Sequence, residues 1–332
     1  MSKKIIVTDT HLGMKHGSDD YHNITLNLFK EICEIAESFN IKEFIHAGDF
    51  FDVRRSVSLK TIPVAYNIMD MLRETFSDIY LIVGNHDTYY KNSLQPTSLQ
   101  LFDNMDGVSI VDTPIVIDNN IHLQPWLLDD FKSISSCDYL IGHFEMSGIV
   151  INRVGTESKS GISISEFKNY KKVLSGHYHT KSITGNIEYL GSPYHMTFND
   201  DGARGYYIFN DGELDFYEFT NAPKFIIFEH DGINTDQIKG NNIKVVFTKD
   251  IGTTKINKVT NDIVKFEPNQ LFIEFNFDES FTEKGNDFKV DEIIDLRSLE
   301  KKYLDNSDIP KYIDRNKIEK EMDILWNTLK EK

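Results

Sequence analysis

Eight side chains able to hold a divalent cation or move a proton stand in five short motifs. The motifs are DTHLG (Asp9–Gly13), GDFFD (Gly48–Asp52), GNHD (Gly84–Asp87), GHF (Gly142–Phe144) and GHYH (Gly176–His179). The chemistry-bearing set is Asp9, His11, Asp49, Asn85, His86, His143, His177 and His179. These are oxygen and imidazole donors with no thiolate among them, the set that suits manganese, iron or zinc. They exceed what one ion needs and fit two ions sharing a carboxylate, an arrangement that clamps a phosphoryl group during in-line displacement. A single Asp-x-His pair arises often by chance, and Gly-Asn is ordinary turn chemistry. Five such motifs, each behind a strand-like run, do not. His16, His22, His46, His122, His195 and His230 lack that context and read as structural.

The elements that must position these residues follow from periodicity. Ile5–Val7, Phe44–Ile45 and Tyr80–Val83 read as buried strands. Leu28, Ile32, Ile35 and Phe39 mark one helix face, and Ile62, Ala65, Met69 and Leu72 another. Such alternation predicts an α/β layered fold, in which ligands gather at the carboxyl ends of strands. After about Ser109 strands dominate: Ile115–Ile117, Ile121–Leu123, Tyr139–Ile141, Val173–Leu174 and Ile187–Leu190. Tyr206–Phe209 and Leu214–Phe219 flank Asn-Asp-Gly and predict a hairpin. From about Asn221, Phe225–Phe228, Lys244–Phe247 and Leu271–Phe277 predict a second, smaller α/β domain. A helical tail follows from about Asp291.

Composition narrows the function classes. The chain has 332 residues with a net charge of -16, so bulk charge cannot be what holds a nucleic acid. Any such contact must be local, metal-assisted or lent by a partner. No apolar run approaches the ~18 residues of a membrane span, and the chain enters a strand at once, leaving no room for a signal peptide. Cys33 and Cys137 are far apart, which argues against a disulfide framework and predicts a reducing cytoplasm. No Walker A motif occurs. Arg54 and Arg55 follow the second motif, and Tyr89, Tyr90 and Lys91 the third. On the metal face such cations meet phosphates and such rings stack on unpaired bases.

The ordered motifs resemble those of the calcineurin-like metallophosphoesterases. FDVRR (Phe51–Arg55), YYKN (Tyr89–Asn92) and GSPY (Gly191–Tyr194) make the chain similar to nuclease subunits of the meiotic-recombination-eleven/SbcD family, those of T-even-like phages included. The likeness covers about residues 1–220 and is weaker beyond. It implies a four-layer α/β/β/α nuclease core over residues 1–220, an α/β capping, DNA-contacting domain over 221–290, and a helical ATPase-binding tail over 291–332. In the tail, Ile318, Met322, Leu325 and Leu329, with Trp326 beside them, would face the partner.

Carried over residue by residue, the resemblance places Asp9, His11, Asp49 and His179 on one metal ion. Asp49, Asn85, His143 and His177 take the other, with Asp49 bridging. His86 then faces the scissile phosphodiester as proton donor or charge stabiliser. Asp52 and Asp87 support the ligands and His86 from behind. The activity implied is that of a DNA exonuclease and endonuclease using two divalent ions, Mn2+ before Mg2+ or Zn2+. The protein would act on double-stranded DNA and its ends in recombination, replication and repair. It would do so as a homodimer within a heterotetramer containing an SMC-like ABC ATPase, in the cytoplasm of the host if phage-encoded. A metallophosphatase for small nucleotides or phosphoproteins would share every ligand. A scaffold with a vestigial metal face would have lost some, and none is missing.

Overall fold

The computed structural model describes residues 2–126, 134, 136–150, 155–249 and 251–276, together with Arg315, Glu319, Lys320 and Met322. Two mixed six-stranded sheets form its centre. In the first, β1 (Lys4–Val7), β2 (Glu43–His46), β3 (Asp78–Ile82) and β4 (Val108–Val111) lie parallel. The connections carry the one-turn α1 (Met14–Gly17) and two long helices, α2 (Asp19–Phe39) and α3 (Thr61–Thr75). Asp19 and Asp20 in the first turn of α2 complement the helix dipole. Asn40, left-handed at φ 52°, ends that helix by donating its N–H to the Ala36 and Glu37 carbonyls.

The second sheet begins with β5 (Ile115–Ile117), β6 (Ile121–Gln124) and β7 (Tyr139–His143). A ribbon of β8 (Met146–Ser147) and β9 (Ile162–Ser163) intervenes before β10 (Lys172–Gly176), β11 (Ser182–Thr184) and β12 (Ile187–Tyr189). Its order is β11-β12-β10-β7-β6-β5. The chain then returns to the first sheet as the hairpin β13 (Gly205–Asn210) and β14 (Glu213–Glu218), antiparallel to β1. Asp211 and Gly212, both at positive φ, make the predicted turn.

Strand alternation assigns the core. Ile5 and Val7 face α2 and α3 with Leu28, Ile32, Ala65 and Met69, while Ile6, Ile45 and Ile82 turn inward onto Leu123, Ile141 and Leu174 of the second sheet. Residues 127–133, between β6 and β7, where a helix of the expected fourth layer on the outer face of that sheet would fall, lie outside the described residues. Among the described residues that outer face is covered by the β8–β9 ribbon and a 3-10 turn, Ile164–Phe167, which bring Met146, Phe167 and Tyr170 onto Leu140 and Val173. The local sequence, with Gly161 at positive φ, favours turns over helix there.

A third sheet of three parallel strands, β15 (Phe225–Glu229), β16 (Asn242–Phe247) and β17 (Gln270–Phe275), follows. Helix α4 (Thr253–Val264) crosses between the last two and buries Ile256 and Ile263 against Ile243 and Val245. Phe198 joins this sheet to the rest: its ring centroid lies 5.0 Å from that of Phe225 and 5.2 Å from that of Phe272. Ile318, Leu325, Trp326 and Leu329 lie outside the described residues. Met322 is helical and partly buried, and Arg315 pairs with Glu319 at 3.1 Å. Both cysteines are free and buried, and no described helix is long and apolar enough to cross a membrane.

Candidate metal centre

All five motifs meet at one edge of the sandwich because each begins where a parallel strand ends. Asp9 follows β1, Asp49 follows β2 and Asn85 follows β3; His143 closes β7 and His177 follows β10. Two groups form there. Asp9, His11 and His179 have ligand atoms within 4.8 Å of one another, and so do Asp49, His143 and His177. Asn85 joins the second group, its Oδ1 lying 3.1 Å from His143 Nε2 and 2.9 Å from His177 Nδ1. In the first, His11 Nε2 and His179 Nε2 approach to 3.1 Å. One atom stands between the groups: Asp49 Oδ2 is 3.2 Å from His143 Nε2 and 3.7 Å from His11 Nε2.

The backbone is strained to make this possible. Asp9, His11, Asp49 and His177 all have positive φ, between 44° and 92°, where non-glycine residues cost of order 1–3 kcal/mol each. Such residues persist where the surroundings hold them. Asp9 donates its N–H to the Gly48 carbonyl, His11 donates its own to Asp49, and the His177 N–H reaches the Asp9 carboxylate at 3.1 Å. Gly48 leaves no alternative: a Cβ there would sit 2.3 Å from His143 Nδ1.

His86 occupies a different position. Its N–H donates to Asp49 Oδ1 at 2.7 Å, and its Nδ1 donates to the Asp52 carbonyl at 2.6 Å. That leaves Nε2 as its remaining polar atom, on a residue lining a cavity of about 300 Å³ with His11, His179, Asp49, Asn85 and His177. Asp52 thus orients His86 through its backbone, while its carboxylate lies 3.3 Å from His11 Nδ1. Asp87 is fully buried. Its carboxylate accepts from the N–H groups of Gly84, Phe51 and Phe50, tying the third motif to the second. Burial, and then the Asp49 charge, push its pKa up to about 7.

Residues 3–181 match the model of the calcineurin-like phosphoesterases. The chain belongs to that family. It is 29% identical over 290 residues to exonuclease subunit 1 of Enterobacteria phage T4, an alignment covering 76% of this chain and 85% of the phage protein. It is 31% identical over 119 residues to the DNA double-strand break repair protein Mre11 of Sulfurisphaera tokodaii, covering 34% of this chain and 30% of that one. Among solved structures it is similar to the Pseudomonas putida nuclease MPE, with a TM-score of 0.33 and 16% identity over 64% of this chain and 86% of the other. As a member of the family the chain is a metal-dependent phosphoesterase.

The donor set fits two divalent ions. Unprotonated imidazole nitrogens and carboxylate or amide oxygens converge with lone pairs facing one another, an arrangement that needs a cation or a proton between them. With no metal, a proton serves. Burial pushes the His143 imidazolium down, but the Asp49 carboxylate outweighs it and holds the pKa up to about 9. Burial, followed by repulsion from His143, lowers His177 to about 3. A metal ion must displace the His143 proton, so its affinity should weaken as pH falls below about 9. The expected slope approaches tenfold per pH unit, measurable by Mn2+ titration calorimetry between pH 6 and about 9. A pH-independent affinity over that range would contradict it.

This phosphoesterase centre also uses residues that the sequence reading passed over. Trp126 packs its ring 5.0 Å from His177 and 6.0 Å from His143. The Tyr194 hydroxyl donates to the Thr10 carbonyl, between Asp9 and His11, and contacts Thr25 Oγ1 at 2.9 Å. Arg204, buried and paired with Asp200 at 3.3 Å, donates to the His179 carbonyl and to Ser192 Oγ. GSPY was a visible signal for Tyr194; nothing local announces Arg204 or Trp126. His46 and His195 keep their structural roles, His46 beneath Thr10 at 2.9 Å and His195 against the Gly202 carbonyl at 3.0 Å. Of the candidate DNA contacts, Arg54, Arg55 and Tyr89 line one cavity of about 440 Å³, while Tyr90 and Lys91 are exposed beside it.

Proposed function

We propose that this chain is a manganese-dependent DNA nuclease, hydrolysing phosphodiesters by exonucleolytic and endonucleolytic cleavage with two metal ions. The observation that carries the reading is the position of Asp49 Oδ2 between two groups of ligands. Asp9, His11, Asp49 and His179 would hold one ion and Asp49, Asn85, His143 and His177 the other. When bound, two such ions supply Lewis acidity and lower the pKa of water towards ~7. The residues do the rest. Asp52 fixes the His86 ring, and His86 Nε2 holds a proton for the leaving oxygen or stabilises charge on the phosphoryl group. Asp87 keeps the His86 loop in register with Asp49.

DNA is favoured over small phosphoesters by the cavity lined by Arg54, Arg55 and Tyr89, reached two residues beyond Asp52 and three beyond His86. The names of the phage exonuclease subunit and of Mre11 support the same substrate. The phage name supports a subunit role. In this reading the partner is an SMC-like ABC ATPase, the nuclease dimerises within a heterotetramer in the cytoplasm, and residues 221–290 cap the DNA. Residues 291–332, with Ile318, Met322, Leu325, Trp326 and Leu329, dock on the partner. The test is incubation of the purified chain with linear double-stranded DNA and with a generic phosphomonoester, in Mn2+ or EDTA. Degradation of DNA in Mn2+, abolished by EDTA, is expected. Release of phosphate from the monoester with DNA left intact would favour the phosphatase alternative.

A further inference from the structure

His179 stands three residues beyond Gly176, the last residue of β10, where no strand ladder holds the backbone. His143, by contrast, is itself the last residue of β7, and its Nδ1 donates to the Ala47 carbonyl at 2.9 Å. For His179 the holding falls to its own carbonyl. That oxygen accepts two donors, the Ser192 N–H at 3.2 Å and the Arg204 guanidinium. Gly191 clears the approach: at its φ of 74° a Cβ would lie 2.8 Å from the same oxygen.

Arg204 and Asp200 are only 4% and 5% exposed, so the charge pair is buried. The guanidinium reaches four groups. Nη1 donates to the His179 carbonyl and to Ser192 Oγ at 3.0 Å, Nε to the Asp201 carbonyl at 3.0 Å, and Nη2 to Asp200 Oδ1 at 3.3 Å. An ammonium, a point charge on a flexible stem, does not reproduce that planar fork. Asp200 is fixed in turn, its Oδ2 accepting the Met196 and Thr197 N–H groups at 2.7 and 2.8 Å. The same turn packs Phe198 against the third sheet, and His195 spans the Gly202 carbonyl and the Phe225 N–H. The clamp therefore has a braced base. None of these bonds reaches Asn85, His143 or His177.

Resting on the two-ion reading above, we propose that Arg204, braced by Asp200, is a positioning residue that fixes His179 for the ion held with Asp9, His11 and Asp49. The other ion does not depend on it. Position and charge predict opposite signs. A guanidinium behind a ligand repels the incoming cation, so acting by charge alone it weakens metal binding. Acting by position, it strengthens binding.

The test measures Mn2+ binding to the full chain by calorimetry, with electron paramagnetic resonance to tell a coupled pair of ions from a lone one. Arg204→Lys keeps the charge and loses the fork; Arg204→Met loses both. Each should weaken one of the two Mn2+ affinities by ~10–100-fold, the range for a lost support of a ligand, and change the other far less. At intermediate Mn2+ the variants should show the lone-ion spectrum where the wild type shows the pair. Their kcat should recover as Mn2+ is raised. Should Arg204→Met lose its cooperative thermal transition, Arg204→Lys decides alone. Wild-type affinities in Arg204→Lys, with tighter binding in Arg204→Met, would reduce Arg204 to a charge that the site tolerates. An equal loss of both ions would make it part of the scaffold and overturn the assignment. If the wild type itself binds fewer than two Mn2+ ions, the two-ion reading fails first and this assignment with it.

Discussion

Replacing Asp49 with alanine is expected to abolish phosphodiester cleavage while leaving a folded chain. Asp49 serves three neighbours at once: Oδ1 accepts the His86 N–H, and Oδ2 lies near both His143 and His11. Its loss removes the shared oxygen from both ion sites and the anchor of the His86 loop together. Losing a group that only supports a ligand typically costs ~10–100-fold, and a shared ligand should cost more. The two hydrophobic clusters on either face of the first sheet do not include Asp49, so the thermal transition should remain cooperative. Activity within tenfold of wild type at saturating Mn2+ would remove Asp49 from the centre of the account.

His86→Ser is expected to separate chemistry from metal binding. The His86 backbone N–H survives the change and still reaches Asp49, so the ligand loop keeps its anchor. The ring is lost, with its bond to the Asp52 carbonyl and the Nε2 proposed to face the phosphodiester. Metal stoichiometry should stay at the wild-type value while kcat falls by ~10²–10⁴-fold, as for removal of a proton donor. His11, Asp52 and His86 also come close enough to form a third ligand set, so the rival outcome is well defined. A fall in bound metal in His86→Ser would make His86 a ligand.

Much of the fold was legible because its strands are short apolar runs bounded by polar turns. Ile115–Ile117 appears at the predicted residues, and the Asn210–Gly212 turn closes the predicted hairpin. Helix α4 was not foreseen: its sequence TTKINKVTNDIV buries only Ile256 and Ile263, too sparse a stripe to stand out among polar residues. Phe39, read as part of the buried face of α2, is 47% exposed, since the helix reaches its end at the sheet's margin. The eight motif residues were legible because each follows a strand and carries a side chain with strong chemistry. Of their supports, Asp52 and Asp87 were read with the motifs, while Trp126 and Arg204 were not. Asp52 orients His86 through a carbonyl that any residue possesses, and Arg204 reaches His179 from 25 residues away in sequence. Contacts of that kind depend on tertiary packing rather than on residue type or local spacing.

The most direct measurement is the anomalous diffraction of Mn2+-soaked crystals of the wild-type chain. The account predicts two peaks, one against Asp9, His11 and His179 and one against Asn85, His143 and His177, with the Asp49 carboxylate contacting both. A single peak at saturating Mn2+, or two peaks with Asp49 bound to neither, would contradict it.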